Sequence, residues 1–333
     1  MKNLLVLLLC CFAYAAQATI YTVSNDPNNP GQFTTLQDAN DAANPGDTLY
    51  VTPSPSNYGN LTMNKTLTLI GQGYAPVTNG QLTYKTRIGT VYLSPTAVST
   101  VDDSKFLGLQ FNTINFGAFV NNISVERCFG DVRGHNNGSV NIKHSFVNFS
   151  SSYPSFLANI SNSFIYSFYC PSSAGVIVKN CVIAVSSLYA EDCTFENNIF
   201  IQTGITTSRI EHSNFNNNIF STYGDPLPLG ISNNGGSGNL FDTNPLFVSY
   251  DFAAGTGGSY IDTEDYHLQA TSPAVGFGTD GTDAGMYGGV DPFPGGAYTG
   301  APPIPRITVF NLLNGLVGPN SQLNFEVEAT TQN

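Results

Sequence analysis

Basic and histidine residues that could act on an anionic substrate are concentrated in one short stretch of the chain. Arg127, Arg133, His135 and Lys143 fall within 17 consecutive positions, whereas the whole chain has 11 Lys and Arg and four His. An Arg/Lys pair can neutralise a uronate carboxylate, and His135 or Lys143 could then act as the base for β-elimination. These four residues are the candidate catalytic residues if the protein is an enzyme. The alternative interpretation is an exposed loop with ordinary solvated charges.

Acidic residues provide weaker candidates for chemistry. Asp102-Asp103 is an adjacent pair, and a second acidic group lies near the C-terminus. Calcium binds six to eight oxygen ligands, and no cluster of that kind occurs between Val91 and Ile231. We therefore expect no cofactor, and no motif supports calcium. Turn formation is the interpretation we favour for the second group, which consists of Asp262, Glu264, Asp265, His267, Asp280 and Asp283.

The elements that would position these residues recur along the chain. One apolar strand position per coil can be chosen at steps of 16 to 22 residues, apart from a step of 12 between Val178 and Ala190. Either that coil lacks one side or the register changes there. Repeats of about 20 residues that are rich in Asn and strand-forming residues indicate a solenoid. The chosen column is Val51, Leu69, Val91, Leu109, Val125, Ile142, Ile160, Val178, Ala190, Ile210 and Ile231.

Two further columns support stacked coils, because strands paired in register place like residues on like. Asn198-Ile199-Phe200 recurs at Asn218 and, as Asn-Leu-Phe, at Asn239. The other column is small and partly cysteine, and we predict that Cys181 and Cys193 are free, buried thiols stacked in it; a disulfide or a metal site is the alternative. Its members are Cys128, Ser145, Ser163, Cys181, Cys193 and Ser213.

The beginning of the repeat carries a helix signal. Thr34 with Gln37 three positions later fits a capping box, and Leu36, Ala39 and Ala43 form a narrow apolar stripe. A Pro-Gly break follows, and then two strands in which Leu49 and Val51 precede Leu67 and Leu69 by 18 residues. So small a helix predicts a cap on the open end of the coil stack.

The runs FTTLQDANDAANPGDTLYVTP and NYGNLTMNKTLTLIGQG resemble the N-terminal cap and first coils of secreted right-handed parallel β-helix proteins, the pectate-lyase-like superfamily. No specific enzyme family is matched. The resemblance implies an all-β fold: a right-handed parallel β-helix (solenoid) with a short N-terminal capping helix. Two further strand patterns near the C-terminus predict a β-hairpin after the β-helix. A β-sandwich is the alternative, since regularly spaced short strands also suit it.

The chain divides into four segments by composition. Residues 1–18 read as a signal peptide cleaved after Ala18, residues 19–290 as the β-helix, residues 291–305 as a Pro/Gly-rich linker, and residues 306–333 as a C-terminal strand segment. The formal net charge of −12 argues against nucleic acid and anionic membranes as partners. No stretch after the signal reaches the roughly 18 apolar residues of a membrane span. We expect a monomer that is secreted, extracellular or at the cell surface.

Two classes of function remain open at this stage. One is a non-catalytic carbohydrate-binding or structural and adhesion role, with a polysaccharide or cell-surface glycan as partner. The other is a polysaccharide lyase or hydrolase acting on an acidic polysaccharide. We favour the first, because few cationic groups converge and the net charge of −12 would repel a polyanion.

Overall fold

A computed structural model describes most of the chain. The described residues are 18–73, 84–96, 100–172, 175–185, 187–201, 206–221, 233–250, 264–294, 306–312 and 325–330. The predicted signal peptide, apart from Ala18, lies outside them.

The described strands, numbered β1 to β23 in chain order, form two long parallel sheets and one antiparallel pair. Sheet A contains β1 (Ile20–Val23), β2 (Thr48–Val51), β4 (Thr68–Ile70), β6 (Lys105–Leu107), β8 (Ile123–Glu126), β10 (Ser139–Lys143), β12 (Leu157–Ser161), β14 (Val176–Lys179), β17 (Cys193–Glu196) and β20 (Asn214–Asn216). Sheet B contains β3 (Leu61–Met63), β5 (Arg87–Leu93), β7 (Gln110–Phe116), β9 (Phe129–Arg133), β11 (Phe146–Ser150), β13 (Phe164–Cys170), β15 (Val182–Ile183), β18 (Ile199–Phe200) and β21 (Ile219–Phe220), with a branch of β16 (Ser187–Glu191) and β19 (Thr206–Glu211).

This arrangement is the predicted fold, a right-handed parallel β-helix. Each coil places one strand in sheet A and one in sheet B, and crossovers between parallel strands of one sheet are right-handed in about 98% of cases. The predicted C-terminal hairpin is also present, as antiparallel β22 (Arg306–Leu312) and β23 (Phe325–Thr330). The fold class is therefore confirmed, and the β-sandwich alternative is wrong.

The coil register agrees with the sequence prediction in the middle of the chain and differs at its ends. Val125, Ile142, Ile160 and Val178 stack in sheet A as expected. The next member is Phe195, which pairs with Val178 17 residues earlier, so no coil is shortened. Ala190 and Ile210 belong to the sheet B branch, and Leu49 pairs with Leu69 rather than Leu67. These differences arise because every side of a solenoid has inward apolar residues. Ile231 lies outside the described residues.

The N-terminal helix α1 (Leu36–Ala42) covers the end of the stack as predicted. Its cap is one residue later than expected: the Thr35 side chain accepts a hydrogen bond from the Asp38 backbone N–H. Gln37 therefore does not cap the helix. Its side chain instead exchanges hydrogen bonds with the backbone of Thr62, on the end strand of sheet B. These bonds satisfy backbone groups that an edge strand would otherwise expose.

The predicted cysteine column is two columns at different corners. Cys128, Ser145, Ser163 and Cys181 lie at the corner between sheets A and B. At this corner a backbone N–H donates to the side chain at the same position of the next coil: Cys128 N to Ser145 Oγ, Ser145 N to Ser163 Oγ, and Cys181 N to Asn198 Oδ1. Cys193 begins β17, around another corner. All four described cysteines are buried thiols. The prediction that Cys181 and Cys193 are buried thiols agrees with this. The prediction that they stack in one column was wrong, because two different corners have the same sequence pattern of a polar, a small and an apolar residue.

Burial controls the reactivity of these thiols. It raises the pKa of the Cys128 and Cys181 thiols to about 12, so almost no reactive thiolate forms near neutral pH. We expect no labelling of Cys128, Cys170, Cys181 and Cys193 by a thiol reagent in the native protein, and rapid labelling of these four after unfolding. Fast labelling of the native protein, or a disulfide found by mass spectrometry, would contradict this.

Candidate functional site

The four candidate catalytic residues lie in two places. Arg127 and Lys143 are at the corner where sheet A ends, whereas Arg133 and His135 are at the far end of β9. The five residues of β9 alone span about 13 Å. The structure therefore does not bring the four side chains to one site.

The corner that holds Arg127 has an unusual backbone conformation repeated in successive coils. One residue per coil has a positive φ of 44° to 63°. At this corner the backbone N–H groups of Gly108, Arg127, Asn162, Asn180 and Asn197 each donate a hydrogen bond to a carbonyl at the strand end of the next coil. Asn and His tolerate this left-handed conformation better than most residues. The column is Gly108, Arg127, His144, Asn162, Asn180, Asn197 and Asn217.

Residues 264–294, here called the C-terminal strap, run along this column. Asn217 Nδ2 donates to Phe277 O at 2.9 Å, and Asn162 Nδ2 donates to Gly288 O at 2.7 Å. Between them, Asn197 exchanges hydrogen bonds with Thr279. The side chains of the left-handed corner thus bind the backbone of the strap, which is a structural role.

The strap also covers an apolar row on the outer face of sheet B. In register along the axis, this row is Phe146, Phe164, Val182, Ile199 and Ile219. All five are fully buried, in a cluster with strap residues such as Tyr266 and Met286. The protein therefore has a second apolar core outside the lumen.

Lys143 and His144 belong to the last contacts of the strap. Lys143 Nζ forms an ion pair with Asp291, and His144 Nε2 lies 3.0 Å from Asp291 O. Asp291 is the first residue of the predicted linker, and these contacts show that the linker begins against the solenoid. Residues 295–305 lie outside the described chain. These contacts leave Lys143 as a docking residue.

His144 is the buried titratable group of this corner. Its Nδ1 is 3.9 Å from Glu126 Oε1, its neighbours include Arg127 and Lys143, and Phe293 packs edge-on against the ring. Burial is the main cause that lowers the pKa of His144 below 6.5, with Lys143 and Arg127 adding to it, while Glu126 opposes the shift. The neutral imidazole is therefore favoured in the folded protein.

This shift predicts a pH dependence of stability. Because the unfolded state binds the proton more readily, the free energy of unfolding falls as pH decreases through about 6.5 towards the lower native pKa of His144. A His144→Gln variant should lose this dependence between about pH 7.5 and pH 5, measured by denaturant titration at each pH. Glu126, whose pKa is lowered chiefly by its contact with His144, contributes only in the window below its ordinary value of 4.5. An unchanged slope in the variant would contradict the assignment.

The exposed part of sheet B carries a different kind of row, here called the tyrosine strip. Tyr92 and Tyr169 expose 42% and 41% of their surface, and Arg133, between them, exposes 58% of its side chain. The rings of Tyr169 and Tyr189 are 5.1 Å apart. By strand register the strip runs Tyr92, Asn115, Arg133, Ser150, Tyr169 and Tyr189.

A polar row lies beside the tyrosine strip, two residues nearer the strap. Its centre is Asp131, which is 3.4 Å from Arg133 and accepts a hydrogen bond of 3.3 Å from Tyr166 Oη. Burial raises the pKa of Tyr166 above its ordinary value, and the charge of Asp131 adds to this. The row consists of Thr90, Thr113, Asp131, Asn148 and Ser167.

His135 is placed around the next corner rather than among these residues. Its ring stacks on Tyr153 of the following coil at 4.2 Å, and its Nδ1 accepts a hydrogen bond from the Asn136 backbone N–H. One ring nitrogen is thus already engaged, and the imidazole is held by stacking. Of the four candidates, only Arg133 lies in the strip, with His135 at its margin.

Other polar groups have local roles. Asp265 and Asp280 accept hydrogen bonds from backbone N–H groups two residues away, as expected for turns. Asp102 and Asp283 instead accept from the backbone of Asn121 and Gly276, 19 and seven residues away. Asp262 lies outside the described residues. A group that the sequence did not single out is Glu191, Glu211 and His212, whose donor atoms lie within 4.8 Å of one another. Three donors are fewer than calcium requires, and the group does not by itself establish a metal site.

The tyrosine strip cannot be identified from the sequence alone. The register between distant strands was needed to align Tyr92 with Tyr169 and Tyr189. Once the sheet B segments are known, a search for Tyr, Arg and Asn at the end of each segment detects the row.

Comparison with known proteins gives little further information. No family model matches the chain, and no curated protein matches it. Among solved structures, the pectin methylesterase of Aspergillus niger in deglycosylated form is 13% identical, with 75% of this chain and 92% of that chain covered and a TM-score of 0.29. The penultimately deglycosylated form of that protein gives the same identity and coverage with a TM-score of 0.30. Similarity at this level assigns no activity or substrate to the present chain. The described residues contain no helix with the length and hydropathy of a membrane span.

Proposed function

We propose that this protein is a secreted or cell-surface β-helix protein that binds carbohydrate without turning it over. The observation that supports this most is the tyrosine strip, in which the exposed rings of Tyr92 and Tyr169 and the partly exposed ring of Tyr189 lie in one register row of sheet B. Tyr side chains combine a broad apolar face with a hydroxyl group, which suits the apolar faces and hydroxyl groups of sugar rings. Sites on regular sheets are also held more precisely than sites on loops.

The alternative of a polysaccharide lyase has less support. Its four candidate residues are divided between the strap contact and sheet B, and Lys143 is paired with Asp291. A base and a charge-neutralising group must lie together at the reacting atoms. Unsaturated products from a uronate polymer that disappear in Arg133→Ala or Lys143→Ala would nevertheless establish the enzyme and contradict our proposal.

A glycan-binding array followed by titration tests the binding function. We expect Tyr169→Ala to weaken binding by about tenfold, since an aromatic contact contributes about 0.5–1.5 kcal/mol beyond the area it buries. Ile177→Ala is the matched control, because Ile177 is 43% exposed on sheet A, away from the strip. An equal loss in both variants, or no binding by the wild type, would contradict the proposal.

A further inference from the structure

We infer that the ligand of the tyrosine strip is a neutral polysaccharide chain that lies parallel to the solenoid axis. This inference rests on the proposed carbohydrate-binding function and adds the chemical class and direction of the ligand. Three observations carry it: the charge of the strip, the chemistry of the row beside it, and the spacing of its rings.

Between Tyr92 and Tyr189, the strip and the polar row beside it contain two charged side chains, Arg133 and Asp131. Their opposite charges cancel. Arg133 Nη2 lies 3.4 Å from Asp131 Oδ2. The remaining positions of both rows are Tyr, Asn, Ser and Thr. A polyanion needs cationic groups that recur along its length, and the chain's net charge of −12 would oppose its approach. A neutral chain meets neither obstacle.

The polar row can recognise hydroxyl groups directly. Asp131 supplies carboxylate oxygens, and Asn148 has both an amide donor and an amide acceptor. Asp131 is held by Arg133 and by the Tyr166 hydroxyl, so its orientation is fixed before a ligand arrives. Ring stacking on the strip with hydroxyl recognition beside it is the usual combination of apolar contact and a few placed polar groups.

The spacing sets the direction of the ligand. Neighbouring coils are about 4.8 Å apart, so the five steps from Tyr92 to Tyr189 cover about 24 Å along the axis. Tyr92 and Tyr169 lie two coils on either side of Arg133. An extended chain parallel to the axis contacts all of these residues, whereas a chain that crosses the sheet contacts one coil only.

The first experiment compares neutral and anionic chains on the intact protein. Oligosaccharides of xylan, mannan and β-glucan are titrated beside polygalacturonate and alginate, at ionic strengths of about 0.01 M and about 1 M. We expect binding of a neutral chain that changes less than about twofold with salt and strengthens with length up to about 24 Å. Binding of anionic chains alone, with loss at high salt, overturns the inference but leaves the proposed function intact. No binding to any chain contradicts the proposed function itself.

Charge variants provide the second readout. For a neutral ligand, Arg133→Gln and Asp131→Asn should both weaken binding, each by a few-fold, because each breaks the charged Arg133–Asp131 pair that orients the polar row. For an anionic ligand the two variants should act in opposite directions, with Arg133→Gln weakening binding and Asp131→Asn strengthening it. Opposite signs for Arg133→Gln and Asp131→Asn overturn the inference, as does an affinity independent of chain length.

Discussion

Phe195→Ala should lower the free energy of unfolding by about 3–5 kcal/mol, the usual cost of truncating a buried phenylalanine. Phe195 is fully buried in the lumen, where its ring stacks on Phe215 at 4.8 Å and contacts Phe168 and Phe200 at 5.4 and 5.7 Å. Removing the ring leaves a cavity, and the paired strands of adjacent coils prevent the wall from collapsing into it. Denaturant titration monitored by circular dichroism measures the loss.

The matched control for this prediction is Phe119→Ala. Phe119 is 65% exposed, so the same chemical change should alter stability by less than about 0.5 kcal/mol. A loss below about 1 kcal/mol in Phe195→Ala would show that the lumen repacks, contrary to our expectation.

Asn218→Ala should cost roughly 3 kcal/mol, because it leaves buried backbone groups without partners. The fully buried Asn218 accepts hydrogen bonds at 3.0 Å from both N and Nδ2 of Asn198, and its Nδ2 donates to Phe195 O at 2.9 Å. It also donates to Asn239 Oδ1. The residue is thus the middle of a three-coil Asn ladder.

Two comparisons make the Asn218 prediction specific. Asn216→Ala removes a partly exposed amide that accepts a single bond from Ser237 N, and should cost about 1 kcal/mol or less. The double variant Asn198→Ala with Asn218→Ala should cost less than the sum of the two single changes, since their side chains share one network. Strict additivity would contradict the ladder.

The Asn ladder was also the part of the fold most readily predicted from the sequence. Stacked coils require like residues at like positions, and Asn198, Asn218 and Asn239 therefore recur with the same apolar neighbours. Coil register was harder, because inward positions on all sides are apolar and coil lengths vary. That is why Ala190 was placed in a column whose real member is Phe195.

The candidate site was less predictable for a different reason. Residues close in sequence, such as Arg127 and Arg133, are separated by a corner and a strand, whereas Tyr92 and Tyr169 are brought into one row by pairing across several coils. The strap was not foreseen either, since the outward Phe146 and Phe164 have the same residue type as inward ones. Only the structure shows which apolar residues need a cover from elsewhere in the chain.

The strap also has a consequence for the order of folding. From β8 onwards, contacts between the coils join residues about 17 to 20 positions apart, as in Val125 with Ile142 or Phe195 with Phe215. Contacts of the strap join residues 60 positions apart at Asn217 and 147 apart at His144. Closing a long loop costs more chain entropy than local pairing, so contacts between distant residues form later. The coils should therefore assemble first, and the strap should dock last, from Asn217 towards His144. The outer apolar face of sheet B is then the surface left open to aggregation in the interval.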